Sequence, residues 1–289
     1  MDRSNVDYSR VMQPQEDGYD VEAFLALKQA DGFARQEVPG MFRVFGQQVV
    51  AGRWRPRQFE NEVPCETVSH YAVLDVATRQ AAPAMHTSIS GLLDVLTGVE
   101  LRNNTEVSTL CPTARYPGAW IVLTSICADP AVALRGIIHE MMHQKLITLG
   151  LGSHRSFLDG GEAFILNDKE QLHRSIVNSY ADTMQPYMPG PIGRPMLACI
   201  HGYASFLSAA AATLKLVPHD AGRAAAYMRY VGKWSERLDD CWNAIRDGAQ
   251  TTEQGAQLLQ GLENWTSEHL REYRAALRLY GAGTEVQAA

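Results

Sequence analysis

The sequence predicts an α-rich α+β fold, in which a helical single domain carries a small N-terminal sheet of mixed or antiparallel strands. Segments typical of strands are confined to about residues 40–125, whereas long helical patterns dominate about 130–280. The 289 residues contain no internal repeat, and 46% are hydrophobic and 20% charged, as in an ordinary globular domain. We therefore expect one domain over 19–289, preceded by a flexible N-terminus over 1–18.

Each element follows from a local pattern of apolar residues, β-branched residues and turn formers. In the N-terminal part, the patterns predict helices over 21–34 and 87–97, and strands over 41–45, 68–74, 106–110 and 119–124. In the C-terminal part they predict helices over about 130–149, 195–216, 220–247 and 252–279.

The helix over 130–149 has clear start and stop signals. Asp129 is a suitable N-cap, and Pro130 occupies the first helical position, where its missing N–H removes no helical hydrogen bond. Gly150 and Gly152 follow the last apolar residue and favour termination. Apolar residues surround most of this helix, so we expect it to be central and buried.

A metal half-site is predicted on this buried helix. His139 and His143 are four residues apart with Glu140 between them, the HExxH pattern. Residues i and i+4 lie above one another on a helix, so both imidazoles can bind one divalent ion. Ionisable groups inside a protein are costly unless something pairs with them, and a metal ion would do so.

Composition argues against several classes of partner. The net charge is −6 and no basic run is present, so we expect neither nucleic acid nor an anionic membrane to bind. The five cysteines are scattered without a CxxC pair, which is typical of reduced thiols. No segment resembles a signal sequence or a membrane span, and we expect a cytoplasmic protein.

The third metal ligand separates the possible functions. In a zinc metallopeptidase of the thermolysin kind it would be Glu162, in the segment DGGEAF, and Glu140 would be the general base that activates water. The metzincin pattern is absent, because positions 146 and 149 are leucine. His201, in an apolar helix, is the competing ligand. A non-catalytic peptide-binding or structural protein, whose histidines hold a structural metal or none, is a further alternative.

Several motifs together resemble one family. The motifs are PGAWIVLTS at 117–125, HEMMHQKL at 139–146 and the segment from Tyr187 through Arg194-Pro195 to His201-Gly202-Tyr203 and Phe206, and long helices follow them. Together they are similar to the HExxH-type peptide-modification proteins of bacterial ribosomal-peptide (RiPP) pathways. The resemblance covers about 110–265, and the first hundred residues have no counterpart. It implies an oxidoreductase of natural-product biosynthesis, which uses non-haem Fe(II), 2-oxoglutarate and O₂ to hydroxylate a β-carbon in a peptide or amino-acid substrate.

The resemblance also implies roles for particular residues. His139, His143 and His201 become the iron ligands, and Arg194 binds the distal carboxylate of 2-oxoglutarate. Glu140 then orients a ligand, binds substrate or forms a hydrogen bond to a metal-bound water instead of acting as a base. Arg155 and Arg174 are substitutes for Arg194. An all-histidine set departs from the usual triad of two histidines and one carboxylate.

Overall fold

The structure is a computed structural model of the chain. It describes residues 3–32, 42–45, 47–49, 62–64, 69–101, 108–110, 121–125, 130–153, 160–173, 176 and 193–280. Within these ranges the protein is an α-rich α+β fold, as the sequence predicts.

Seven α-helices occur in the described ranges. They are α1 (Tyr19–Ala30), α2 (Ser69–Ala81), α3 (Pro83–Leu92), α4 (Pro130–Leu149), α5 (Met196–Leu216), α6 (Ala224–Gly248) and α7 (Glu253–Tyr280). The four helices predicted in the C-terminal part are confirmed as α4 to α7, with ends that differ by a few residues. Helix α4 ends before Gly150, whose φ of +104° lies in the left-handed region that favours glycine.

Six strands form one mixed sheet. They are β1 (Phe42–Val44), β2 (Gln47–Val49), β3 (Glu62–Pro64), β4 (Val95–Leu101), β5 (Ser108–Leu110) and β6 (Ile121–Ser125). Their order is β1-β2-β4-β6-β5, and β3 also pairs with β4. Strand β4 is parallel to β2 and β6, whereas the other pairs are antiparallel. The predicted small N-terminal mixed sheet is thus present.

A short antiparallel ribbon precedes α5. Strand β7 (Leu172–His173) pairs with β8 (Arg194–Pro195), so that His173 lies opposite Arg194. Helix α5 begins at the next residue, Met196. The ribbon therefore fixes the position of the chain at the start of α5.

Helix α5 is the centre of the helical part. It packs along α4 and α6 and also contacts α7, while α4 contacts β5 and β6 of the sheet. All residues of α5 are buried except Gly202, Phe206 and Lys215. The expectation that no segment resembles a membrane span needs correction, because in the described part of the chain the stretch from Met196 to His219 is long and apolar enough to cross one. Most of this stretch is buried inside the fold.

Two element predictions in the N-terminal half are wrong. Of the segment 68–74, which is predicted as a strand, residues 69–74 belong to α2, and the predicted helix 87–97 is replaced by the end of α3 and the start of β4. In α2, Leu74 and Thr78 are buried whereas Val73 is 58% exposed, which is a helical period. Strand propensity of β-branched residues is weak, and packing against the core decides the conformation.

The N-terminal segment differs from the predicted flexible tail. The side chains of Val6, Tyr8, Val11 and Met12 are buried in the hydrophobic core. The ring of Tyr8 meets that of Phe164 edge to face, with centroids 5.2 Å apart. Polar composition suggested fraying, but a few apolar residues at suitable positions anchor the segment.

Buried ion pairs join α1 to its neighbours. Lys145 Nζ in α4 lies 2.8 Å from Asp20 Oδ2, and Lys28 Nζ lies 2.6 Å from Asp94 Oδ2. All four side chains are at most 6% exposed. Because Lys145 is two residues after His143, the first of these pairs links α1 directly to the helix that carries the HExxH motif.

Candidate metal centre

The packing of α4 against α5 brings three imidazoles together. His139 and His143 lie one above the other on α4, with 3.3 Å between their Nε2 atoms. His201 approaches from α5, and its Nδ1 atom is 3.1 Å from Nδ1 of His143. The rings of His143 and His201 are stacked, with centroids 5.3 Å apart. The packing therefore brings His201 next to His139 and His143, the two histidines of the HExxH motif.

These separations suit nitrogens that share an ion. Two nitrogens, each about 2.1 Å from one tetrahedral ion, are about 3.4 Å apart. Among the described residues, however, no group of three or more histidine, cysteine or acidic side chains is arranged so that it could hold a metal ion as it stands. The contacts give the reason, because His143 faces His201 with Nδ1 and His139 with Nε2. The nitrogens of one ring diverge, so His143 must rotate to present one of them to a shared ion.

A backbone carbonyl fixes the tautomer of His201. Its Nε2 atom donates a hydrogen bond to the carbonyl oxygen of Leu151, which follows the end of α4. In the neutral ring the other nitrogen, Nδ1, then carries a lone pair, and that atom is the one that faces His143. Histidines that bind metals commonly donate their second ring nitrogen to a carbonyl in this way. His201 is therefore oriented as a ligand.

Ser205 restrains the middle imidazole. It lies one turn after His201, and its hydroxyl donates to the His201 carbonyl oxygen over 2.7 Å. The same Oγ is 3.2 Å from Nε2 and 3.4 Å from Nδ1 of His143. Since the hydroxyl hydrogen is already used, Ser205 can only accept a hydrogen bond from His143. The hydroxyl thus lies beside the ring that has to rotate.

Burial keeps all three imidazoles neutral. Removal from water lowers the pKa of His139 to about 4 and that of His201 to about 4. The pKa of His143 is lowered well below its ordinary value by burial and, secondarily, by the neighbouring imidazoles. Neutral imidazole is the form that binds metal ions. At neutral pH the cluster therefore offers lone pairs without competition from protons.

The two candidate carboxylates occupy different environments. Glu140 is 6% exposed, so its side chain is held inside the protein. Glu162, the predicted third ligand of a zinc peptidase, has a side chain that is 69% exposed and lies 3.2 Å from Lys169 Nζ. Its backbone and the Lys169 hydrogen bond lower its pKa. The structure thus places Glu162 at the surface in an ion pair.

Of the candidate arginines, the structure describes only Arg194. Its guanidinium is partly buried at the start of α5, and burial lowers its pKa. The two substitutes, Arg155 and Arg174, lie outside the described residues, as do His154 and Tyr187.

An aromatic wall lies on the His139 side of the cluster. The sequence indicates Phe206 as a possible pocket wall, but sequence reasoning missed that Trp234, Tyr230 and Arg135 extend it. The Phe206 ring lies 4.7 Å from that of His139 and stacks on Trp234 at 3.7 Å between centroids. Trp234 is 6.3 Å from Tyr230, and the guanidinium of Arg135 lies 4.0 Å above the Tyr230 ring. Arg135 is one turn before His139 on the same face of α4. This spacing of four residues was the sequence feature that could have placed Arg135 beside the site.

Comparison with known proteins adds no family, since no protein-family model and no curated protein matches the chain. The functional interpretation therefore depends on the geometry of the described residues.

Proposed function

We propose that this protein is a non-haem Fe(II)- and 2-oxoglutarate-dependent dioxygenase that hydroxylates the β-carbon of an amino-acid residue in a peptide natural-product precursor. The observation that carries the proposal is the meeting of three neutral imidazoles from two helices, one of them oriented by a backbone carbonyl. A donor set made of imidazoles suits Fe(II) and leaves positions open for a chelating co-substrate.

When bound, Fe(II) together with 2-oxoglutarate and O₂ supplies the oxidising power to replace a C–H hydrogen by hydroxyl, while 2-oxoglutarate becomes succinate and CO₂. His139, His143 and His201 would hold the ion. His201 is buried and His139 and His143 are half-buried, so bulk water has limited access to this side of the site, which protects a reactive centre from side reactions.

Two guanidinium groups have distinct proposed roles. Arg194, at the start of the helix that carries His201, would bind the distal carboxylate of 2-oxoglutarate through its planar fork. Arg135 and the aromatic wall of Phe206, Trp234 and Tyr230 would face the peptide substrate, because this wall begins at the His139 ring. Glu140 would orient a ligand through a hydrogen bond.

The zinc-peptidase alternative receives less support. Glu162 is exposed and paired with Lys169, whereas His201 lies against the two motif histidines. The HExxH motif itself fits either function. The third alternative, a non-catalytic protein with a structural metal or none, predicts no turnover.

The test uses protein purified without oxygen and loaded with Fe(II). We expect 2-oxoglutarate to produce a visible charge-transfer absorption band under anaerobic conditions, and O₂ uptake and succinate formation to require 2-oxoglutarate. Bound Zn²⁺ with peptide cleavage that Glu140→Gln abolishes would support the peptidase instead. Inertness in both assays would favour the non-catalytic alternative.

A further inference from the structure

A cavity of about 570 Å³ lies between the C-terminal part of α5, the middle of α7, the junction of α2 and α3, and residues 13–17. Ala211, which lines it, is ten residues after His201 and therefore about 15 Å further along α5. Small-molecule sites in proteins commonly have volumes of about 300–1,000 Å³. The cavity is thus separate from the imidazole cluster and large enough for a ligand.

One wall of this cavity is apolar. Ala82, Pro83 and Met85 line the side formed by the junction of α2 and α3. On the α7 side the lining includes Trp265, which is only 4% exposed. Such a surface suits the methylene groups of an amphipathic side chain, and an indole ring attracts a cation placed over its face.

Carboxylates outnumber basic groups in the lining. The acidic lining residues are Glu16, Asp17, Glu268 and Glu272. The one lysine or arginine among the described lining residues is Lys215, and its Nζ lies 2.6 Å from Glu272 Oε1. Asp17 is paired with Arg10. Two of the four carboxylates are therefore matched by a cation.

The other two carboxylates are not matched. Glu268 accepts a hydrogen bond from the neutral side-chain amide of Gln13 over 2.9 Å and forms no ion pair among the described residues. Glu16 has no basic partner in the part of the chain that the structure describes. These two groups give the cavity a local excess of negative charge, which favours a cationic ligand.

A buried imidazole supplies an independent polar atom. His269 lines the cavity but is 1% exposed. Its Nε2 lies 2.9 Å from the Oγ of Ser235 in α6, and Ser235 does not line the cavity. Its Nδ1 has no hydrogen-bond partner within the described ranges. A buried polar atom without a partner is costly, and a ligand donor would satisfy it.

We propose that this cavity binds a primary alkylammonium group, with its methylene chain on the apolar wall and its charge between Glu16 and Glu268. An ammonium group has three N–H donors, which can serve both carboxylates and the free lone pair of His269 when that ring holds its proton on Nε2. The lysine side chain of a peptide and a free alkylamine share this chemistry. The site does not depend on the metal centre or on the proposed oxygenase activity.

The test is calorimetric titration of metal-free protein with three probes: N-acetyl-lysine methylamide, n-butylamine and the uncharged N-acetyl-norleucine methylamide. We expect the two amines to bind and the norleucine derivative not to bind. Tighter binding of the lysine derivative identifies a peptide ligand, whereas tighter binding of butylamine identifies a free amine. The same titration of His139→Ala protein should give unchanged affinity, which separates this site from the proposed function.

The carboxylates are tested by substitution. Glu16→Gln and Glu268→Gln should each weaken amine binding by about tenfold, since each removes a charge-assisted hydrogen bond. Glu170→Gln, at an exposed carboxylate outside the cavity, is the matched control and should leave the affinity unchanged. Equal binding of the norleucine derivative, unchanged affinity in both cavity variants, or no saturable binding of either amine would overturn the proposal.

Discussion

His201 donates a hydrogen bond from Nε2 to the carbonyl oxygen of Leu151, so the third imidazole is held by the chain at the end of the helix that carries the other two. That carbonyl is itself placed by a helix cap. Leu151 N donates to Leu146 O and Gly150 N donates to Ile147 O, both over 2.9 Å, which is the Schellman pattern. The end of α4 thus fixes the orientation of a group on α5.

This relationship predicts that Gly150→Ala weakens metal binding. Gly150 has φ of +104°, and a Cβ would meet only Phe164 at 3.9 Å, so the penalty is backbone strain rather than a clash. We expect the substitution to destabilise the protein by about 1 kcal/mol and to lower its Fe(II) affinity by displacing the Leu151 carbonyl. Gly32→Ala, at φ of +79° with nothing within 4 Å, is the control. It should cost similar stability and leave metal affinity unchanged; equal losses of affinity would contradict the prediction.

The identity of the third ligand is tested by metal content. His201→Ala should lose most bound metal, because only two imidazoles remain, whereas Glu162→Ala should retain it. Metal analysis after anaerobic purification, with circular dichroism to confirm folding, measures both. The opposite result would favour the zinc peptidase.

The sequence predicted more of the helical half than of the sheet half, for a physical reason. Helix α4 has a proline at its first position and glycine after its last, and such signals act locally. The segment now in α2 has no comparable signal, and its burial against the core decides its conformation. The i, i+4 spacing of His139 and His143 follows from helix geometry alone, whereas the approach of His201 depends on how α5 packs.

The proposed roles of Arg194 and Arg135 can be distinguished by the effect of each substitution on 2-oxoglutarate affinity. Arg194→Gln should weaken 2-oxoglutarate binding by about tenfold or more, because the substitution removes a charged two-point contact. Arg135→Gln should leave this affinity unchanged and impair use of the peptide substrate. Titration of the anaerobic Fe(II) protein with 2-oxoglutarate, followed by absorption, measures the first effect. Arg246→Gln, an exposed arginine paired with Asp247, is the control. A loss confined to Arg135→Gln would transfer the co-substrate role to that residue.

Stability of the metal-free protein should fall in acid. Burial lowers the pKa of His139, His201 and His269 to about 4 in the folded protein, compared with about 6.5 in the unfolded chain. Between these values the unfolded chain binds more protons, so the free energy of unfolding decreases as pH falls from about 6.5 to 4. Each imidazole contributes up to about 1.4 kcal/mol per pH unit.

Urea unfolding at several pH values measures this dependence. His269→Asn should make the slope shallower, whereas His219→Asn, which removes an exposed imidazole, should not change it. An unchanged slope in His269→Asn would contradict the expected contribution of the buried ring.

The buried ion pair between Lys145 and Asp20 should matter for folding. Asp20→Asn leaves the Lys145 ammonium buried without its counterion, and we expect a loss of about 3–5 kcal/mol in the free energy of unfolding. Asp17→Asn breaks an exposed pair with Arg10 and should cost less than about 1 kcal/mol. Denaturant unfolding of both variants measures the difference, and comparable losses would argue against a special role of the buried pair.

The directional contacts from His139 through His143 and His201 to Leu151 allow every ring to be hydrogen-bonded when no ion is present. The extensive apolar surface shared by α4 and α5 does not require a cation either. Treatment with a chelator should therefore yield an intact apoprotein that can be stored and later reconstituted with different divalent ions, unlike a zinc finger, which unfolds on metal removal.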